Sequence, residues 1–587
     1  MYRTHNCNEL TVADEGKEVT LSGWVYRRRD HGGLIFVDLR DRYGFTQVVF
    51  SPDEGEVHRV GEMLKSEYVI KISGVVRKRP EGIVNKNIDT GEIEVLVKEV
   101  EVLNTCQVLP FEVDQDKEVG EELRMKYRYL DLRRDRMREN IILRHKMLKY
   151  TRDFFCDNDF IEVETPIMIK GTPEGSREYL VPSRIYPGNF YVLPQSPQQL
   201  KQLLMVASFD RYFQIARCFR DEDQRGDRQP EFTQLDMEMS FVEKEDVMKI
   251  NQDVIIGMTK ELAPHKKIRE EVPILTFEEA MDRYGSDKPD IRYDLEFADV
   301  SEIVSGSEFS VFSGAIKDGG VVKAMKVSGG ASFTRKDIDA LTEVAKQHKA
   351  KGLAYFMHSK EEGIKGGIVK FLSEDEIKGI SEAVSLEEGD LVFFTADNWE
   401  VACESLGAVR CSVASKLELA DKDDFAFLWV IDFPMFEALD DGSVQAMHHP
   451  FCNLLEEDLP LLENEPMKVR ANAYDFVLNG NEVAGGSIRI HSPEVQSRVF
   501  EVLGITGEDA ERRFGHMIEA FKFGAPPHGG IAWGFDRLVM LFADEPNIRE
   551  VMAFPKDQKA RDLMLGAPSE MPAAQVEEAN VKCVNLE

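Results

Sequence analysis

A chain of 587 residues is too long for a single hydrophobic core and predicts three or four domains. Hydrophobic residues at 43% and charged residues at 30% exclude wholesale disorder, and no apolar run approaches the ~18 residues of a membrane span. The formal charge of −33 argues against nucleic-acid binding as a bulk property, yet residues 1–104 carry 15 basic and 18 acidic side chains, with Arg27-Arg28-Arg29 and Arg77-Lys78-Arg79 among them. Phosphate contact depends on such local clusters, so RNA stays open as a partner. The eight cysteines are scattered, with no C-x2-C pair, and MYRTHNCNEL does not read as a signal peptide. A zinc site and a disulfide framework are disfavoured, and a reducing cytoplasm is expected, with no membrane partner.

Five strands are predicted over 1–104. VTLSGWVYRRR, GLIFVDLRD, TQVVFSP, YVIKISGVVRKR and GEIEVLVKEVEVL are rich in β-branched and aromatic residues, alternate in part, and are separated by turn residues. That count suits an OB-fold β-barrel, and a sandwich fragment would give a similar pattern. Residues 105–136 read as a hinge or connector. ENIILRHKMLKYTRDFFCDNDF then sets Ile141, Met147, Leu148, Phe154 and Phe155 near helical spacing and runs into FIEVETP, a strand closed by Pro166. The unit begun over 137–286 is interrupted over 287–420, where Gly-rich turns alternate with short strands and helices as in an inserted α/β domain. It resumes over 421–555, and 556–587 is a polar C-terminal extension. The expected class is α+β and multidomain.

Phe219–Met237, FRDEDQRGDRQPEFTQLDM, carries the most chemistry. A triphosphate needs fixed cationic forks, which Arg220 and Arg228 offer, and an adenine needs a flat apolar face, which Phe232 offers. Alone, a loop this rich in Asp, Glu and Arg reads better as a solvated, salt-bridged hairpin. Its company changes the reading. PPHGGIAWGFDRLVMLF sets small residues ahead of a strand-to-helix junction carrying Arg537, and AYDFVLNGNEVAGGSIRIH allows Asp475 and Glu482 to share a hairpin and hold Mg²⁺ on phosphates.

The helix–strand–Pro166 element, the FRDE loop and the segment ending in Arg537 resemble, in this order, the three signature motifs of class II aminoacyl-tRNA synthetases. RYLDLRR, TPEGSREYLVPSR, QSPQQLKQLLM, RYGSDKPDIR, MHHPF and GGSIRIH extend the resemblance over essentially the whole chain, to the bacterial-type aspartyl-tRNA synthetase family. The resemblance implies an N-terminal OB-fold for the anticodon, an antiparallel-sheet catalytic domain, and a GAD-like insertion similar to one in tRNA amidotransferase subunits.

Catalytic roles are implied for Arg220, on the α-phosphate, and Arg537, on the γ-phosphate and the adenine face opposite Phe232. Asp221, Glu222, Gln229, Glu482, Gly534, Phe535 and Asp536 complete the implied ATP site, with Glu222 reading the adenine amino group. Asp475 and Glu482 are the implied Mg²⁺ ligands, with no zinc and no organic cofactor. Cations placed where charge builds up are the main catalytic contribution expected, and the attacking carboxylate is already ionised, so no general base is needed. For L-aspartate, Lys201 and Arg489 are implied on the side-chain carboxylate, with Arg220 also in contact. Asp236, Ser196 and Gln198 are implied around the amino group, Glu174 closing the pocket, and His448 and His449 on a loop above. A neutral asparagine would leave two buried cations unpaired, a rejection of ~10⁴-fold.

The resemblance further implies that the barrel reads the tRNA(Asp) anticodon by stacking on Phe36 and through Arg29, Gln47 and Glu94. IFVDL alternates, so one of Ile35 and Phe36 faces outward, and the sequence leaves open which. His31 in RRRDHGG and Gly82 in RPEGIVN are similar to the relaxed form, which also charges tRNA(Asn) and feeds an amidotransferase. The strict form tends to carry Leu and a bulkier or charged residue. A homodimer through the 137–158 helix is also implied. A silent RNA-binding paralogue is disfavoured because Arg220, Arg537 and Glu482 are all present, and an Asn- or Lys-specific relative is disfavoured by the insertion together with Lys201 and Arg489.

Overall fold

The computed structural model describes residues 1–113, 118–171, 176–269, 271–439, 441–505, 507–582 and 584. They divide into two compact units, Met1–Arg134 and Asp135–Glu587.

The first unit is built on a closed five-stranded barrel with strands β1 (Glu18–His31), β2 (Leu34–Arg40), β3 (Phe45–Phe50), β4 (Val69–Lys78) and β5 (Ile93–Asn104) in the order β1-β2-β3-β5-β4. The β1–β2 turn places Gly32 and Gly33 at φ 61° and 80°, the left-handed pair that a two-residue hairpin requires. Alternate residues fill the interior: Leu21, Val25, Ile35, Val37, Leu39, Ile70, Ile72 and Val95 are fully buried. One helix, α1 (Glu56–Met63), bridges β3 and β4, which makes the barrel an OB-fold. Burial settles the open alternation: Ile35 is inside, and the half-buried Phe36 stands on the outer face.

The second unit centres on an eight-stranded sheet. Its strands are β6 (Ile161–Glu162), β7 (Arg211–Phe219), β8 (Glu231–Ser240), β9 (Ile274–Thr276), β10 (Phe427–Ile431), β11 (Ala473–Leu478), β12 (Asn481–Ile488) and β13 (His528–Gly534), ordered β9-β10-β11-β12-β13-β8-β7-β6. The six central strands are antiparallel, while both edge pairs, β9–β10 and β6–β7, run parallel. Helix α2 (Asp135–Asp157) buries Met137, Asn140, Met147, Thr151 and Phe155. Its stripe is therefore more polar than the apolar spacing predicts: Asn140 donates to Glu545 and to the Glu550 carbonyl, while Leu148 and Phe154 are only partly buried.

Residues 297–397 form a separate five-stranded antiparallel sheet with its own apolar clusters, followed by the helix Trp399–Lys416. Buried Arg410 donates to the carbonyls of Asp290, Tyr293, Asp294 and Leu295, and buried Lys323 pairs with Asp282 and Asp299. Among the described residues no helix is long and apolar enough to cross a membrane.

Candidate active site

The site is built on one face of the central strands. Strand β8 alternates Leu235, Met237 and Met239, which join the apolar core, with Gln234, Asp236 and Glu238 on the other face. Helix α3 (Gln198–Val206) brings Lys201 to that face, and β12 leads into Arg489.

On one side, a cavity of about 230 Å³ is lined by Arg220, Glu222, Phe232, Glu482, Gly534 and Arg537. The Arg220 guanidinium carbon lies 5.1 Å from the centre of the Phe232 ring. The Arg225–Arg228 turn lies over this cavity: Arg228 Nη1 donates to Glu222 Oε2 at 3.0 Å, and Arg537 Nη2 donates to Asp227 Oδ2 at 2.9 Å. Ser176 also donates to Glu222, and Arg537 Nη1 to the Glu482 carbonyl. Arg220 Nε, Arg537 Nε and Gln224 Oε1 are buried with no hydrogen-bond partner among the described residues. Orphaned donors and acceptors of this kind are rare unless a ligand completes them.

Two residues expected here lie outside the lining: Phe535 is fully buried in the core, and Asp221 turns toward Arg177. Asp536 does line the cavity, but its carboxylate accepts from the Thr233 backbone and from Arg144. Gln229 does line it, but its amide is spent on the backbone N–H and carbonyl of Lys556.

Asp475 on β11 and Glu482 on β12 are joined through a hairpin whose Asn479 and Gly480 have φ 52° and 77°. A Cβ on Gly485 would lie 2.8 Å from Asp475 Oδ1 and 3.4 Å from Glu482 Oε1, so both carboxylates converge on the room this glycine leaves. Repulsion from Asp475, reinforced by burial, raises the Glu482 pKa. Two crowded carboxylates of this kind fit a hard divalent cation such as Mg²⁺.

The neighbouring cavity, about 270 Å³, shares Arg220, Gln234, Glu482 and Ala532 with the first. Lys201 Nζ is 2.6 Å from Asp236 Oδ1 and 3.2 Å from Glu238 Oε2. Arg489 grips Glu238 with Nε at 2.9 Å and Nη2 at 3.2 Å, and its Nη1 donates to Ser487 Oγ and His449 Nε2, each at 2.8 Å. Two cations and two carboxylates thus form one buried lattice. Burial alone would raise the Glu238 pKa, but Arg489 and Lys201 overcome it and hold the group at about 2. Burial dominates at Asp236 and raises its pKa despite Lys201. His449 is pushed well below the ordinary imidazole value by burial and by Arg489, so it stays neutral and accepts from Arg489. His448 goes the other way: burial lowers it, but Asp475 at 3.7 Å more than compensates.

Sequence reasoning missed Glu238. It lies two residues after Asp236 on the same strand face, and Gly530 makes room for it, since a Cβ there would fall 2.0 Å from Glu238 Oε2. Ser196 and Gln198 line the cavity, with Gln198 donating to Gln202. Glu174 lies outside the described residues.

On the barrel, Arg29 stands opposite Phe36 and donates to Asp38 Oδ1 at 2.7 Å and Gln47 Oε1 at 3.3 Å. Gln47 donates to Glu94, which Arg77 also holds. The four expected readers therefore share one outer face. His31 and Gly82 are exposed at turns, and a Cβ on Gly82 would meet nothing within 4 Å.

An OB-fold joined to an antiparallel sheet bearing this arginine, carboxylate and aromatic arrangement marks a class of nucleotide-using enzymes that handle RNA. Residues 120–558 match the family of tRNA synthetases class II (D, K and N), and residues 19–103 match the OB-fold nucleic acid binding domain. The chain belongs to that class II family. It is 51% identical over 581 residues to an aspartate–tRNA(Asp/Asn) ligase of Rubrobacter xylanophilus, covering 99% of this chain and 97% of the relative. The same name is carried by a relative in Desulfatibacillum aliphaticivorans, 52% identical over 98% of this chain and 97% of its own. An aspartate–tRNA ligase of Ruminiclostridium cellulolyticum is 49% identical over 99% of this chain and 98% of its own. Among solved structures, the asparaginyl-tRNA synthetase of Pyrococcus horikoshii complexed with asparaginyl-adenylate shares the fold, with a TM-score of 0.59 at 17% identity over 94% of this chain and 98% of that one.

Proposed function

We propose that this chain activates L-aspartate with ATP to give aspartyl-adenylate and pyrophosphate, then transfers the aspartyl group to the 3′ end of tRNA(Asp) and also of tRNA(Asn). The observation that carries this reading is the pair of adjoining cavities with Arg220 on their shared wall. The side-chain carboxylate of aspartate meets Arg489 and Lys201, and its ammonium meets Asp236 with Ser196 and Gln198 alongside. The α-carboxylate, ionised at neutral pH, then faces the α-phosphate next to Arg220. Arg220 stabilises the charge that develops there as pyrophosphate leaves beside Arg537. Adenine stacks on Phe232, and Glu222 accepts from its amino group. Asp475 and Glu482 hold Mg²⁺, which when bound neutralises phosphate charge. The two cations expected to be left unpaired are already held by Asp236 and Glu238, so asparagine is rejected because its amide NH₂ would set donors against the fixed donors of Arg489 and Lys201.

Relaxed tRNA choice is supported by the names of the relatives and by Gly82, where neither φ nor packing calls for glycine. The aspartyl-tRNA(Asn) so made would pass to a tRNA-dependent amidotransferase. A homodimer through the 137–158 helix belongs to this reading, and Leu180, Ile185, Tyr186 and Phe190 are further exposed apolar side chains. A cytoplasmic setting is supported by seven free cysteines among the described residues. The test is charging with labelled aspartate on purified tRNA(Asp) and tRNA(Asn) side by side. Comparable charging of both is expected; charging of tRNA(Asp) alone would leave the chemistry standing and make the enzyme the strict form.

A further inference from the structure

Phe535 flanks the nucleotide cavity without lining it, Asp536 lines it with its carboxylate engaged elsewhere, and the explanation for both lies on helix α2. Arg144 Nη1 donates to Asp536 Oδ1 at 2.5 Å, its Nη2 donates to Thr233 Oγ1 at 3.0 Å, and its guanidinium carbon stands 5.5 Å from the centre of the Phe535 ring. Asp536 Oδ2 closes the circuit by accepting the Thr233 backbone N–H at 2.7 Å. The side chains of Arg144 and Asp536 are 16% and 4% exposed, so this ion pair is largely out of water, where losing one partner strands the other. Each of the three partners is joined by one or two bonds of chain to a group that lines the cavity. Thr233 follows Phe232 on β8, and Phe535 and Asp536 sit between Gly534 and Arg537 at the start of the helix α4 (Phe535–Phe542).

We propose that Arg144 is a positioning residue for ATP: it locks the first turn of α4 against β8 and so sets the distance between the Arg537 fork and the Phe232 ring. This rests on the nucleotide reading above. Arg144 itself does not line the cavity, so its effect passes through Asp536 and Thr233. Small misplacements of positioning groups cost far more in turnover than in folding.

The experiment compares Arg144→Met, Arg144→Lys and Phe232→Ala in aspartate-dependent ATP–pyrophosphate exchange, with KM read separately for ATP and aspartate and thermal midpoints recorded for each protein. Arg144→Met should raise the ATP KM about tenfold or more while the aspartate KM stays within about twofold, and Arg144→Lys, which keeps the charge without the fork, should recover part of the loss. An unchanged ATP KM in a folded Arg144→Met protein, or equal rises in both KM values that follow the thermal midpoint across the two Arg144 variants, would overturn the proposal in favour of a structural strut. Phe232→Ala separates the two failures. If it raises the ATP KM and Arg144→Met does not, this inference fails alone; if neither does, the nucleotide assignment fails with it.

Discussion

The two cavities handle charge in opposite ways. At the far end of one cavity the cations are already matched inside the protein, Lys201 and Arg489 against Asp236 and Glu238. In the cavity proposed for the nucleotide, Arg220 and Arg537 keep buried nitrogens with no hydrogen-bond partner among the described residues, and Arg537 leans on the half-exposed Asp227. A lattice neutral before its substrate enters gives geometric selectivity, because a ligand must fit donors whose directions are already fixed. Cations held short of neutrality keep their field for charge that appears only during reaction, which is where stabilisation accelerates chemistry. On the proposed function, one region chooses and the other accelerates.

The largest expected effect breaks the lattice. Arg489→Leu should lower aspartate-dependent exchange by about 10³-fold or more, since it also leaves Glu238 buried and uncompensated, while ATP affinity measured by calorimetry stays within about threefold. Equal losses on both sides would mean that the cavities are not separable as described. A control outside both is Phe36→Ala, which should reduce tRNA charging by about 10–100-fold in kcat/KM with exchange unchanged, the scale of one lost stacking contact. Glu238→Gln should raise the aspartate KM about tenfold. It should also reshape acid stability: the native Glu238 pKa falls from 4.5 to about 2, so its contribution is present above about 4.5 and disappears as pH drops toward 2. Unfolding of the variant, followed against pH, should be flatter across that window, and an unaltered acid limb would show that Glu238 is not held ionised. The smallest effect has the most telling sign. Asp227→Asn should lower the ATP KM a few-fold, because phosphate no longer competes with Asp227 for Arg537; a raised KM would make Asp227 a binding residue instead.

Much of this was legible in the chain. The barrel strands, the Asn479–Gly480 hairpin that sets Asp475 and Glu482 on adjacent strands, and the extended segment bearing Phe232 follow from alternation and turn chemistry, both local signals. Glu238 was legible in principle, as the third polar residue of a period-2 series, but one more carboxylate in an acidic chain drew no notice. Arg144 was not legible, because its partners lie 89 and 392 residues away and nothing in a helical stripe announces them. Phe535 was misjudged for a related reason: membership in a motif says a residue is near a site, whereas the direction of its side chain depends on packing against α2. The parallel edge pairs escaped for want of length, since β6 has two residues and β9 three.

The shared wall formed by Arg220, Gln234, Glu482 and Ala532 has a consequence for the fate of the intermediate. On the proposed function, a mixed anhydride of aspartate and AMP would occupy both cavities at once, as a chelating ligand occupies two donor sets. When one end lets go, the other keeps it at high effective concentration, so escape requires both grips to fail together. Retention of a water-sensitive acyl phosphate until the RNA arrives would then be a property of adjacency, and a stable mimic spanning both cavities should dissociate far more slowly than aspartate or ATP alone.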